Sequence, residues 1–125
     1  MNIIFDTDVI IDVLKRNEQT ANQIENILEH SDALFCSVIS IGEVLAGTRS
    51  NEEKDTWELL DTLSKLNVDE NVAELAGKLK RETKSHQLKL VDCIIAATAI
   101  INESLLLTKN AKHYPFKNLK LHRVK

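Results

Sequence analysis

Apolar and polar positions along the chain fall into short blocks whose period changes from one block to the next. Ile3, Ile4 and Phe5 make an unbroken apolar run, the mark of a short buried strand over residues 2–5. Asp6-Thr7-Asp8 then supplies side chains suited to a helix start, and residues 9–16 read as that helix. Ala21, Ile24, Ile27 and Leu28 recur on one helical stripe. Residues 33–38 read as a second strand and 40–48 as a helix. Trp57, Leu59, Leu60 and Leu63 mark an amphipathic helix across 51–66. Val68 falls in a short third strand, and Val72, Leu75, Ala76, Leu79 and Thr83 carry the next helical stripe. Residues 90–102 are apolar nearly all round and read as a buried helix. The last two strands are expected at 105–107 and 119–124.

The resulting order is β-α-α-β-α-α-β-α-α-β-β. Helices between nearly every pair of strands predict an α/β fold with a parallel sheet covered on both faces. In such sheets ligands bind outside the carboxyl ends of the strands, where strand order reverses. The 125 residues suit one domain spanning 1–125, with enough chain for a sizeable core. Three Gly and one Pro leave no room for a flexible linker.

Composition narrows the classes. The opening Met1-Asn2-Ile3-Ile4-Phe5-Asp6 lacks the basic region and apolar core of a signal peptide. The longest apolar run, residues 93–101, is too short to span a bilayer. Cys36 and Cys93 both sit in apolar runs and read as buried small hydrophobes, and no CxxC or HxxxH pair suggests zinc. These features point to the cytoplasm and to no membrane partner.

The net charge of −3 is unevenly spread. The first 75 residues carry five Lys or Arg against sixteen Asp or Glu, and the remaining fifty carry eleven against three. From Lys109 to Lys125 there are six basic residues and no acid. This basic half is either a set of solvated helix faces and a loose tail, or a phosphate-binding surface beside an acidic site.

Three acids sit where chemistry is expected. Asp6 closes the first strand, where a turn or cap residue would serve as well. Glu43 follows the second strand, and Ser40 with Glu43 also has the spacing of a capping box. Asp92 opens the most apolar helix. The helix dipole favours an acid there, but a carboxylate at the edge of a buried helix needs a partner. Like charges gathered at one site raise one another's pKa, and a divalent cation relieves both problems. Thr108, Asn110 and His113 follow the 105–107 strand, either as a polar loop or as groups that orient ligands without adding charge. An all-oxygen set suits Mg²⁺ or Mn²⁺ and phosphodiester hydrolysis.

At these residues the sequence resembles the PIN-domain family, in particular the VapC-type toxins of toxin–antitoxin pairs. Four blocks carry the resemblance in order along the whole chain: Ile3-Ile4-Phe5-Asp6-Thr7-Asp8-Val9-Ile10-Ile11-Asp12, Ser37-Val38-Ile39-Ser40-Ile41-Gly42-Glu43-Val44-Leu45-Ala46-Gly47, Leu90-Val91-Asp92-Cys93-Ile94-Ile95-Ala96-Ala97-Thr98-Ala99, and Leu107-Thr108-Lys109-Asn110-Ala111-Lys112-His113-Tyr114. The resemblance implies a PIN-like three-layer α/β/α fold with about five parallel strands and a Mg²⁺- or Mn²⁺-dependent endoribonuclease. It also implies a homodimer and a cognate antitoxin protein. Asp6, Glu43 and Asp92 match the family's metal-binding acids, and Thr7, Thr108 and Asn110 match supporting positions. Many relatives carry a further acid in the last loop. Here Asn110 and His113 stand there, and Asp8 is the acid left to contribute. Lys109 and Lys112 are expected to bind the RNA backbone. Other readings are a PIN-domain nuclease of RNA processing, a PIN-like protein that binds RNA or a partner without cutting, and a phospho-accepting signalling module. The last would need an Asp nucleophile at the end of a central strand, whereas Asp92 is placed at a helix start.

Overall fold

The computed structural model describes residues 1–84 and 87–125. Strands β1 (Asn2–Phe5), β2 (Ala33–Ser37), β3 (Ser64–Leu66), β4 (Leu105–Thr108) and β5 (Leu121–Arg123) form one sheet, ordered β3-β2-β1-β4-β5, with every pair parallel. Helices α1 (Thr7–Leu14) and α2 (Glu18–Glu29) connect β1 to β2, and α3 (Val38–Ala46) and α4 (Glu53–Leu60) connect β2 to β3. Helices α5 (Glu70–Glu82) and α6 (Leu90–Ile101) lead to β4, and 3-10 turns stand at Ser50–Glu52 and Ala111–His113. The order of elements is the one the periodicities predict.

Alternation along the strands distributes the core between the two faces. Ile3, Phe5 and Leu107 pack with Val9 and Ile10 of α1, Ile24 of α2, Val44 of α3 and Leu60 of α4. The intervening Ile4 and Leu106 pack on the opposite side with Ile95, Ala96 and Ala99 of α6. Helix α5 joins α6 through Val72 and Ala76, which meet Cys93 and Ala97. Both cysteines are buried and unpaired, as small hydrophobes are expected to be.

Boundaries differ from the sequence reading in informative places. Helix α1 begins at Thr7 because Asp6, extended at φ −68° and ψ 156°, caps it. Helix α3 begins at Val38, and its cap is Ser37, whose Oγ accepts from the Ile39 N–H at 3.2 Å. Ser40 is therefore inside the helix and buried, and the alternative reading of Ser40 and Glu43 as a capping box is not met. Helix α4 stops at Leu60, and the third strand lies at Ser64–Leu66 rather than around Val68. A strand of three residues that pairs only with β2 leaves too short an alternation to read. The last strand is confined to Leu121–Arg123.

From β1 the chain moves outward to β2 and β3, then returns to place β4 on the other side of β1. The reversal lies between β1 and β4, so the crevice such a sheet offers a ligand opens at their carboxyl ends. Asp6 is the residue after β1, and Thr108 ends β4.

Candidate active site

Asp6 is buried, with both carboxylate oxygens engaged. Oδ1 accepts from the Thr7 N–H at 2.8 Å. Oδ2 accepts from the Thr108 hydroxyl at 2.7 Å and from the Tyr114 hydroxyl at 2.9 Å. The loop after β4 also reaches Asp8 in the first turn of α1. Asp8 Oδ2 accepts from the Lys109 N–H at 3.1 Å and from Asn110 Nδ2 at 2.9 Å. The Asn110 N–H donates to Thr108 Oγ1 at 3.1 Å, tying the loop to itself. Asp8 Oδ1 is buried with no hydrogen-bond partner.

Glu43 approaches from α3, where Thr7 Oγ1 donates to its Oε1 at 2.6 Å and stands 3.0 Å from Ser40 Oγ. Asp92 comes from the opposite layer, in the first turn of α6. Its Oδ2 accepts one long bond, 3.4 Å, from the Lys89 N–H and lies 3.9 Å from His113 Nδ1. The expected residues thus fall into three sets. Asp6, Asp8, Thr108 and Asn110 are joined directly, Thr7 links to Glu43, and Asp92 faces them without a direct bond.

Charge connects what hydrogen bonds do not. Burial raises the pKa of Asp6, against the lowering effect of its hydrogen bonds, and the Asp92 carboxylate adds to the rise. Burial, then the charge of Asp6, pushes Asp8 up to about 6. Asp92 is raised by burial and further by Glu43. An ionised group is penalised when it is both dried and set beside like charge. The Tyr114 phenol, buried against these acids, is held well above its ordinary value and stays a donor.

Whether these residues fit a divalent cation turns on donor chemistry. The unpartnered buried oxygen of Asp8 and the mutual repulsion of Asp6, Asp8, Asp92 and Glu43 are what a cation would relieve. Among the described residues, no three His, Cys, Asp or Glu side chains stand close enough together to hold a metal ion between them. Such a partial, all-oxygen set does not suit zinc, which takes a closed N/S shell in structural sites. It fits Mg²⁺, which keeps several waters and is held by one or two carboxylates together with substrate phosphate.

Two features escape the sequence reading. Tyr114 is an aromatic in a polar loop, where neither period applies. The second is Asp12, one helical turn beyond Asp8. Its Oδ2 accepts from Lys109 Nζ at 2.7 Å and Thr20 Oγ1 at 2.6 Å. Burial pushes Asp12 up, but the bonds from Lys109 and Thr20 more than offset it and draw its pKa down. The i, i+4 spacing of Asp8 and Asp12 on one helix face is the signal that could have found it. Lys109, expected at the RNA backbone, has its ammonium engaged by Asp12. Lys112 is exposed.

Comparison with known proteins agrees with this architecture. Ribonuclease VapC10 of Mycobacterium tuberculosis is 34% identical over 121 residues, covering 94% of this chain and 90% of the relative. Ribonuclease VapC19 of the same organism is 29% identical over 114 residues, covering 90% and 91%. A toxin–antitoxin complex from Klebsiella pneumoniae contains a chain that superposes with a TM-score of 0.82 at 26% identity, covering 98% of both chains. Residues 3–119 match the PIN domain as a family. By that match, and by the fold and strand-edge acids that accompany it, this chain belongs to the PIN-domain family.

Proposed function

We propose that the chain is a divalent-metal-dependent endoribonuclease, acting in the cytoplasm as the toxin of a toxin–antitoxin pair and restrained by a cognate antitoxin. The observation that supports the nuclease reading is the electrostatic coupling of Asp6 with Asp8 and Asp92, and of Asp92 with Glu43, beside the reversal of strand order, with one buried acidic oxygen left without a partner. The toxin reading rests on similarity to the VapC ribonucleases and to chains from toxin–antitoxin complexes. A homodimer accompanies this reading as an expectation of the family.

Asp6, Asp92 and Glu43 would hold Mg²⁺ or Mn²⁺, with Asp8 adjoining. A bound cation supplies positive charge against the phosphodiester and makes water a better nucleophile. The protein's own contribution is orientation. Thr108 and Tyr114 fix Asp6 through Oδ2, and Thr7 fixes Glu43. Asp92, with a single long hydrogen bond, keeps lone pairs free to accept a proton from an attacking water. His113 stands beside that carboxylate, its Nδ1 3.9 Å from Oδ2.

Incubating an RNA mixture with purified protein, with Mn²⁺ or with EDTA, tests the reading. Cleavage is expected only with metal, and Asp6→Asn or Asp92→Asn should abolish it while leaving the circular dichroism spectrum unchanged. Cleavage by either variant at near the wild-type rate would mean the site lies elsewhere, and no metal-dependent cleavage at all would remove the nuclease reading.

A further inference from the structure

Beside the acids lies a second feature of opposite charge. A cavity of about 310 Å³ opens at the carboxyl ends of β4 and β5, lined by Lys109, Asn110, Ala111, Lys112 and Arg123. It shares Asn110 with the acidic site, since Asn110 Nδ2 donates to Asp8. Arg123 pairs in register with Thr108, the residue whose hydroxyl donates to Asp6. The cavity is therefore next to the proposed cleavage site and on the same edge of the sheet.

Its three cations are not equivalent. The Lys109 ammonium is spent on Asp12. Lys112 and Arg123 are both exposed, and among the described residues neither has an ion-pair partner. Each belongs to a short, differently placed element, the Ala111–His113 turn and the edge strand β5, yet both line one cavity. An arginine fork and a lysine ammonium facing a shared hollow suit a phosphate group. The acids next door would repel any anion that approached without such charge.

We propose that Lys112 and Arg123 form a phosphate subsite that holds the RNA backbone next to the scissile bond, while Lys109 serves the protein's own structure. The inference rests on the ribonuclease reading. An RNA strand running along the sheet edge sets one phosphate in the basic cavity and a neighbouring phosphodiester over the acids. The subsite recognises backbone and not base, so it supplies affinity and register without sequence preference.

The test uses a fluorescent single-stranded RNA in EDTA, where no cleavage occurs, with fluorescence polarisation read across a salt series. For Lys112→Ala/Arg123→Ala the expected result is weaker binding, by roughly tenfold at moderate salt, and a log–log salt slope shallower by about 1.4 for two lost phosphate contacts on a single strand. Lys112→Arg/Arg123→Lys should keep the slope, and Lys78→Ala/Lys80→Ala on α5 should leave affinity unchanged. With Mn²⁺ the cavity variant should show a raised KM and an unchanged kcat. Unchanged affinity and slope in the cavity variant would overturn the subsite, as would an equal loss in the α5 variant, which would indicate diffuse attraction. A cavity anion supplied by an acidic protein segment would likewise leave RNA binding intact. Failure of the underlying reading is distinguishable, because then wild-type protein would not cut RNA with metal at all.

Discussion

Asp92 separates a structural acid from a functional one. A carboxylate that serves only as partner to the α6 dipole would lose stability when neutralised. The site gives the opposite expectation. The pKa of Asp92 is raised by burial and by Glu43, so at pH 7 its charged form is a cost carried by the folded state. Asp92→Asn should melt higher than wild type in EDTA, by something on the order of 1 kcal/mol once solvent screening is discounted. Mn²⁺ should raise the wild-type melting temperature, since it binds the folded state, and should move Asp92→Asn much less. A lower melting temperature for the variant in EDTA, with no metal effect on wild type, would make Asp92 structural. At this scale the sequence was most legible where a strand ends, because Asp6 and Thr108 both stand at the carboxyl edge at which such a sheet takes a ligand, although each also reads as a cap or loop residue. It was least legible at Tyr114, whose role comes from a hydroxyl reaching 108 residues back to Asp6, a distance no local pattern encodes.

Between elements, the bond from Lys109 to Asp12 is the strap that holds the loop after β4 against α1. The same lysine places its backbone N–H on Asp8, so the strap and the site share one residue. The Asp12 side chain is 13% exposed and the Lys109 side chain 33%, which shields the pair from much of the screening that weakens surface ion pairs. A double-mutant cycle of Lys109→Met and Asp12→Asn, read by denaturant melts, should give a coupling of about 1 kcal/mol. A coupling near zero would mean that Lys109 is free for RNA after all. Most elements were legible because their apolar stripes are long. The two errors have local causes. Ser37 and Ser40 are both competent caps three residues apart, and only the path of β2 decides between them. In β3, Ser64-Lys65-Leu66 holds a single apolar side chain, and Leu63, which pattern reading assigned to the preceding helix, is buried ahead of it in the α1–α4 core.

Across the whole molecule the acids set a pH dependence. Asp8 titrates near 6 in the folded chain, against about 4 for an unperturbed aspartate. With the folded value the higher, protonation favours folding. This stability is fully present below pH 4 and is lost as pH rises through about 6. Asp6 and Asp92 are raised too and act in the same direction, whereas Asp12 is lowered and withdraws stability only in stronger acid. Metal-free protein should therefore melt higher at pH 5 than at pH 7.5, and Asp8→Asn should flatten the trend. A wild-type melting temperature that falls between pH 7.5 and 5 would contradict the shifts. The α/β class and the order of elements were readable because the period changes at nearly every junction. The sheet order was not, because nothing local states that the strand laid down fourth returns to lie beside the first. That return also bears on how the chain is made. Asp6, Glu43 and Asp92 have all been synthesised while β4 is still to come, and without β4 there is no Thr108 or Tyr114 on Asp6 and no Asn110 on Asp8. A nascent chain that stops short of β4 thus carries Asp6, Glu43 and Asp92 and the Thr7 that braces two of them, but not the hydroxyl and amide donors that the β4 side lends to Asp6 and Asp8.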